Sequence, residues 1–561
     1  MGGAKMAQNM PIGVSDFKKL ICENFYFVDK TRFIQELIDQ RREVTLITRP
    51  RRFGKTLNLS MLQYFFSLDN AEEHRKLFKG LAIERAGEKY MQEQGTRPVI
   101  MLTFKDVKAN NWHSQQEILI GTLAKLYRKY IYLLQSDMLN EFDKEYFVSI
   151  CKKTASLTDL RESIANLCEM LKKHLGKEAI LLLDEYDTPI ISSWEYGYYA
   201  DCIDFFRHLY SSALKGNEYL DFAVVTGITR VSKESIFSGL NNIRVCSVLS
   251  DLYSDIFGFT ADEAEKLMQD SGVAAKMSEL KQWYDGYMFG KQEIYNPWSV
   301  INFVDHGCKF QPYWINMSGN AILKDLLQKV DSERQKELAK LLEGSSVKAP
   351  IIENIVYSDL HTNRDALYTM LLYTGYLKAI QQDEEFEDIS IAVLQIPNRE
   401  IRRAYKQEIL QYVGGNNGIM PLYDMVSAIT EGNVTKFTNY LSQVIMSYVS
   451  FHDTAQPESF YHGFLLGILV LFNKTHRIES NRESGYGRFD IALFPNTPTQ
   501  AGAILEIKAA KSESELSQLA KDALAQIEAK AYTTDMQKLG VKEIWRYGIA
   551  LCGKKIAVES I

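Results

Sequence analysis

Hydrophobic positions along the 561-residue chain follow two rhythms. Continuous apolar and β-branched runs occur at Val44–Thr48, Pro98–Phe104, Ala179–Leu183 and Phe222–Thr226. Runs of this length without polar alternation predict strands, and Ala179–Leu183 reads as one buried on both faces of a parallel sheet. Between them the apolar spacing turns helical, over Arg32–Gln40, Leu57–Phe66, Ser114–Gln135 and Leu157–Leu175. Phe25–Thr31 reads as a strand or an extended turn. Strand and helix in alternation predict an α/β domain over residues 1–245.

From about residue 245 the alternation fades. Phe257-Gly258-Phe259-Thr260 precedes an acid-started helical segment, Asp262–Gln269, with Thr260 as its N-cap. The aromatic turns Trp283-Tyr284-Asp285-Gly286-Tyr287 and Tyr295-Asn296-Pro297-Trp298-Ser299 read as packing between helices, as does Trp314, and Asn296-Pro297 as a helix start. Residues 321–345 are helical and charged, so 246–345 is a helical lid or a winged-helix-like region. Residues 346–415 connect onward, with strand-like pieces such as Ile389–Leu394. Gly414-Gly415-Asn416-Asn417-Gly418 is linker-like punctuation.

A last α/β domain is expected over 416–561. It runs through a helix (Pro457–Asn473), Thr475–Ser480, the strands Gly487–Phe494 and Ala503–Lys508, an amphipathic helix (Ser512–Ala531) and a final strand, Trp545–Cys552. A loop with Pro495 and Pro498 joins the two central strands as in a hairpin.

Composition narrows the classes. The length exceeds what one core holds, so several domains follow. A net charge of −6 confines any nucleic-acid site to a local basic patch. Seven scattered cysteines without a CxxC pair argue for a reducing compartment and against disulfides and zinc. The absence of a signal core and of a membrane-length apolar run makes the cytoplasm the default.

Two constellations carry chemistry. The first is Arg49-Pro50-Arg51-Arg52-Phe53-Gly54-Lys55-Thr56, a basic turn between a strand and a helix. That order suits a P-loop, in which backbone N–H groups and a helix N-terminus hold phosphates. Lys55 would meet the β/γ-phosphates of ATP and Thr56 would offer its hydroxyl to Mg²⁺. The P-loop pattern has a Gly where Arg49 stands, and Arg51 and Arg52 would supply charge in its place. Leu183-Asp184-Glu185 ends an apolar strand in two carboxylates, as a Walker B element does. Asp184 would hold Mg²⁺ through water, and Glu185 would orient or deprotonate the attacking water. Thr226 or Thr229 could sense the γ-phosphate, and Arg230 could contact a phosphate or another subunit. Asp187 reads as a turn or cap residue. The bland alternative is a solvated basic turn and a strand that merely ends in acids.

The second constellation is Asp490…Glu506-Ile507-Lys508. Carboxylates at the ends of neighbouring antiparallel strands can share one divalent ion, which Mg²⁺ suits. Strand alternation puts Glu506 and Lys508 on one face and Ile507 opposite. The Ile507 carbonyl can complete the metal shell, and Lys508 can orient or activate a water for attack on phosphorus. Gln526, Lys530 and Tyr532 follow on the next helix. Glu458 is a further candidate ligand, though it also reads as a helix-start charge, and His462 as a half-buried helix residue. The bland alternative is a charged edge hairpin.

Residues 10–245 resemble the AAA-ATPase-like family of bacterial proteins, related to STAND and archaeal-type P-loop ATPases. The resemblance rests on Val28-Asp29-Lys30-Thr31, the turn Arg49–Thr56, Leu183-Asp184-Glu185-Tyr186-Asp187 and Phe237-Ser238-Gly239-Leu240-Asn241-Asn242. The two aromatic turns extend it to about 320. In that family the Arg-Pro-Arg-Arg turn is usual. Residues 420–556 look like the PD-(D/E)XK nuclease superfamily domain that accompanies it, with a restriction-endonuclease-like fold. The resemblance implies metal and catalytic roles for Asp490, Glu506 and Lys508, and likens Gln526 and Tyr532 to trailing-helix residues of exonuclease-like branches. The expectation is thus an ATP- and Mg²⁺-binding ATPase joined to a Mg²⁺-dependent nuclease acting on nucleic acid, DNA above RNA, with nucleotide state gating the nuclease site. The alternatives are a nucleotide-switched regulator or scaffold whose nuclease fold binds without cutting, and an ATP-driven motor. Homo-oligomers are open, with Arg230 or Arg244 reaching a neighbour's site, and no membrane partner is expected.

Overall fold

A computed structural model describes residues 8–229, 242–314, 345–352, 364–386, 389–414, 420–448, 475–480, 482–484 and 487–561, with isolated positions in 337–344 and 461–469. The chain divides into two compact units, one of residues 1–318 and 348–400, the other of 319–347 and 401–561.

The first unit is built on a sheet of five parallel strands: β1 (Val44–Thr48), β2 (Val99–Thr103), β3 (Ala179–Asp184), β4 (Leu220–Gly227) and β5 (Ile243–Cys246). Their order across the sheet is β2-β3-β4-β1-β5. All residues of β1 and β3 are buried, as continuous apolar runs covered on both faces require. β4 lies between the two strands that carry the candidate motifs. Its register sets Thr48 beside Gly227 and Leu183 beside Val225, so three strand ends share one edge. Ligands in open α/β sheets bind outside this carboxyl edge.

The expected helices stand at Arg32–Gln40, Lys55–Phe66 and Leu157–Leu175. The helix expected over Ser114–Gln135 is instead Trp112–Arg128, followed by a 3₁₀ turn at Ile131–Gln135. Phe25–Thr31 forms no strand. β5 is a correction, because a short edge strand carries too few residues for the alternation to register.

Beyond the sheet, the helix Ala261–Asp270 starts at a Thr260–Glu263 capping box. Asn296 caps Pro297–Asp305 by accepting the N–H groups of Trp298 and Ser299. β6 (Tyr287–Phe289) and β7 (Gln292–Ile294) form a small hairpin between helices. Tyr284, Phe303, Tyr313 and their neighbours make a separate aromatic core. A sheet of three strands follows, β8 (Val347–Ile351), β9 (Lys378–Phe386) and β10 (Ile389–Gln395), in the order β8-β10-β9.

The second unit carries β11 (His476–Ser480), the short pair β12 (Glu483–Ser484) and β13 (Gly487–Arg488), then β14 (Ile491–Pro495), β15 (Gly502–Ala509), β16 (Ile544–Cys552) and β17 (Lys555–Ser560). Five of them make one mixed sheet, β11-β14-β15-β16-β17. β14 and β15 are the expected antiparallel pair, with Ile491 opposite Leu505. β16 adds parallel to β15 through the helix Leu516–Ala529, and Gly548 lets that helix lie on the strand: a Cβ there would meet the Ala520 carbonyl at 2.0 Å. β17 lies past the last strand the sequence reading expected, as a half-buried edge strand without a strong apolar run. Among the described residues no helix is long and apolar enough to cross a membrane.

Candidate functional site

In the first unit the turn after β1 opens the helix Lys55–Phe66. Gly54 caps that helix at φ +86°, a left-handed conformation that favours glycine. Helical geometry leaves the first amides without intrahelical partners, and the helix dipole adds positive potential there. The Lys55 ammonium, though buried, bonds the carbonyls of Arg49 (2.9 Å) and Pro50 (2.8 Å). Burial lowers its pKa, and Glu185, Asp184 and Asp187 oppose that shift.

Asp184 is the hub of the carboxyl edge. Its Oδ2 accepts the Thr56 hydroxyl at 2.8 Å, and its Oδ1 accepts the Thr226 hydroxyl at 2.8 Å. Thr103, on the other neighbouring strand, reaches Oδ2 at 3.4 Å. Burial raises the Asp184 pKa, while the Thr56 and Thr226 hydroxyls lower it. Glu185 follows at φ +52°, a costly conformation for a non-glycine residue, and Thr188 donates to its Oε2 at 3.1 Å. Asp187 holds the turn after β4, with Oδ2 accepting the amides of Ile228 (2.8 Å) and Thr229 (2.9 Å). Gly227 makes this crossing possible, since a Cβ there would meet the Tyr186 ring at 2.6 Å.

The basic turn divides by residue. Arg49 supplies no charge to a phosphate: it is fully buried, and its guanidinium donates to the carbonyls of Thr48, Cys246 (2.9 Å), Ser247 (2.7 Å) and Tyr253 (3.2 Å). It also lies over the Phe289 ring at 4.8 Å. Burial brings its pKa down to about 10. Where a loop glycine was expected stands a side chain that pins the loop to the 246–253 segment. Phe53 is buried edge-on to Tyr287, so only its backbone is left to serve a ligand. Arg51 and Arg52 are exposed. Lys30, from the Val-Asp-Lys-Thr stretch, is a buried brace on Glu263 at 2.6 Å. Arg230 and residues 237–241 lie outside the described residues, and Arg244 sits on β5.

Arg49→Lys is expected to weaken this unit by about 3 kcal/mol, because one ammonium cannot span carbonyls that a planar fork reaches. A lower midpoint of urea unfolding at unchanged slope checks it.

In the second unit, Asp490 immediately precedes β14 and Glu506 lies on β15. Asp490 Oδ2 accepts the Ile507 amide at 2.8 Å. In an extended strand the N–H and C=O of one residue face the same neighbour, so the Ile507 carbonyl faces the Asp490 side. The Ile507 side chain is fully buried. Glu506 is 2% exposed; its Oε1 accepts from Lys508 (3.3 Å) and from Gln526, while its Oε2 is buried with no hydrogen-bond partner. Burial, with Asp490 beside it, pushes the Glu506 carboxyl up to about 7. Gln526 also reaches the Tyr532 hydroxyl at 3.3 Å, and His462 Nε2 lies 3.0 Å from the Asp490 carbonyl. Glu458 lies outside the described residues, and among these no three His, Cys, Asp or Glu side chains cluster for a metal.

Both donor sets fit the groups expected of them. The Thr56 hydroxyl and the Asp184 carboxylate are hard oxygens 2.8 Å apart, the donor type that Mg²⁺ takes directly or through its waters. An unpartnered buried carboxylate oxygen beside a second carboxylate suits a divalent cation equally.

The parallel sheet with its phosphate-loop turn and strand-end acids defines a P-loop ATPase-like unit, and the mixed sheet with Asp490, Glu506 and Lys508 a nuclease-like one. Residues 11–237 match the family model described as "Predicted AAA-ATPase", and residues 456–561 match that of the PD-(D/E)XK nuclease superfamily. The chain therefore carries an AAA-ATPase-like domain followed by a PD-(D/E)XK nuclease superfamily domain. It is also similar to an uncharacterized protein in the vnfD 5′ region of Azotobacter chroococcum mcd 1, at 26% identity over 500 residues, 87% of either chain.

Proposed function

We propose that the chain is an ATP-hydrolysing, Mg²⁺-dependent nuclease whose nucleotide state controls cleavage of nucleic acid, DNA before RNA. Lys55, Gly54 and the amides of Arg51, Arg52 and Phe53 would hold the ATP phosphates. Thr56 and Asp184 would hold Mg²⁺, and bound Mg²⁺ draws charge from the β- and γ-phosphates. Thr226, on β4 between β1 and β3, would keep Asp184 oriented, and Glu185 would take a proton from water. In the second domain Asp490, Glu506 and the Ile507 carbonyl would hold Mg²⁺, which lowers the pKa of a bound water. Lys508 would orient a water and steady charge at the phosphodiester.

The observation that carries the nuclease reading is the Glu506 oxygen, buried without a hydrogen-bond partner next to Asp490 and Lys508. An edge hairpin with no ligand would leave that cost uncompensated. The test is cleavage of single- and double-stranded DNA and RNA in Mg²⁺ or Mn²⁺, with and without ATP. Cleavage by wild type but not by Asp490→Ala supports the reading. Metal-dependent binding without strand breaks would turn it into the scaffold alternative. For the control step, Lys55→Ala is expected to change cleavage rate or substrate choice when ATP is present, and unchanged cleavage would sink the gating.

A further inference from the structure

Three distant parts of the first unit converge on the turn Arg51–Phe53. The Trp314 indole N–H donates to the Arg51 carbonyl at 3.0 Å. The Trp298 ring lies 4.5 Å from the Arg52 guanidinium. Tyr287 meets Phe53 edge-on, with ring centroids 5.0 Å apart.

One fully buried carboxylate joins the two tryptophans. Glu400 Oε1 accepts the amides of Tyr313 (2.6 Å) and Trp314 (2.8 Å), and its Oε2 accepts the hydroxyl of Ser299 (2.7 Å), the residue after Trp298. Trp298 closes the ring by donating to the Tyr313 carbonyl at 3.2 Å.

We propose that Glu400, Trp298 and Trp314 form a clamp of positioning residues that fixes the phosphate-binding conformation of the turn; this rests on the nucleotide reading above. Two features of the turn need such a device. Arg52 sits at φ +70°, and a non-glycine residue keeps a left-handed conformation only where its surroundings over-determine it. The carbonyls of Arg49, Pro50 and Arg51 are also all engaged on the protein side, the first two by Lys55 and the third by Trp314. A planar trans peptide sends its N–H opposite to its C=O. The amides of Arg51 and Arg52 are therefore aimed away from Lys55 and Trp314. Lys55 would leave its carbonyls to reach a phosphate, but Trp314 need not move, so the Arg52 amide stays aimed in either state. The sequence supplies no sign of this, because Glu400 lies 86 residues beyond Trp314.

The experiment measures binding of a fluorescent ATP analogue to the full chain, and hydrogen exchange of amides 51–56, in wild type, Trp314→Phe and Glu400→Gln. Trp314→Phe removes the indole N–H with its hydrogen bond and leaves a smaller ring in a buried site, so about fivefold weaker binding is expected, measured well below a thermal midpoint that the lost packing lowers. Exchange at 51–56 should rise while the other strand ends hold. Glu400→Gln, which keeps an acceptor for the Trp314 amide, should show a smaller change in the same direction. Wild-type affinity and wild-type exchange in folded Trp314→Phe would overturn the clamp. If wild type bound no nucleotide while Trp314→Phe still exchanged faster at 51–56, the nucleotide reading would fall and the clamp on the turn would stand.

Discussion

Lys55→Ala should lower ATP affinity by at least about 100-fold and bring hydrolysis to background, since charge-assisted bonds contribute roughly 1.5–3 kcal/mol each. The side chain stands at the helix start, and its only hydrogen bonds among the described residues go to two carbonyls of its own loop, those of Arg49 and Pro50. Losing them costs little compared with losing the phosphate partner, so the variant is expected to fold. Circular dichroism and the thermal midpoint check the fold, and isothermal titration with ATP·Mg²⁺ checks the affinity. Near-wild-type binding by Lys55→Ala would remove the nucleotide reading of the turn.

Asp490→Ala is expected to reduce metal-dependent cleavage by about 1,000-fold or more, the loss of several kcal/mol of metal-borne stabilisation. Direct titration with Mn²⁺ separates loss of metal from loss of chemistry. A pH dependence accompanies it. The Glu506 carboxyl is held up to about 7 by burial and by Asp490, well above an unfolded glutamate. The folded chain thus binds a proton that the unfolded chain has already released. That contribution to stability is present below the unfolded pKa and is lost as pH rises to about 7. A divalent cation competes with the same proton, so metal affinity should climb through this window and binding should release protons. Glu506→Gln should lessen the pH slope of stability, to which Glu400, also raised to about 7 by burial, contributes as well, and should remove the proton release. Metal affinity independent of pH between 6 and 8 would argue that Glu506 is no ligand.

Arg49 shows best where reading the chain as a string reaches its limit. In the string it reads as a residue standing where a P-loop has glycine, with the phosphate-binding charge left to Arg51 and Arg52. In the fold its partners are backbone carbonyls about 200 residues away, which no local pattern announces. Thr226 and Asp184 were each legible as strand-end polar residues, but their mutual hydrogen bond depends on β4 lying between β1 and β3. Gln526, by contrast, could be anticipated, because its helix follows β15 and returns across it within a short connection.

The sequence by itself determined the local elements and the chemistry they carry. Continuous apolar runs fixed the strands β1 to β4, and in β1 and β3 burial on both faces admits no polar alternation. Asn296 and Thr260 fixed helix starts, because capping is satisfied within a few residues. The order of residues at Lys55-Thr56, Asp184-Glu185 and Glu506-Ile507-Lys508 set which donors stand together on one strand or turn. The tertiary structure alone decided everything that depends on contacts distant along the chain. It placed the edge strands β5 and β17, whose short or mixed patterns are stabilised only by a neighbour's ladder. It turned Arg49 inward onto carbonyls and brought Glu400 beneath two tryptophans at the Arg51–Phe53 turn. A buried charge is tolerated only where donors or acceptors converge on it, and that convergence exists only once the chain has folded.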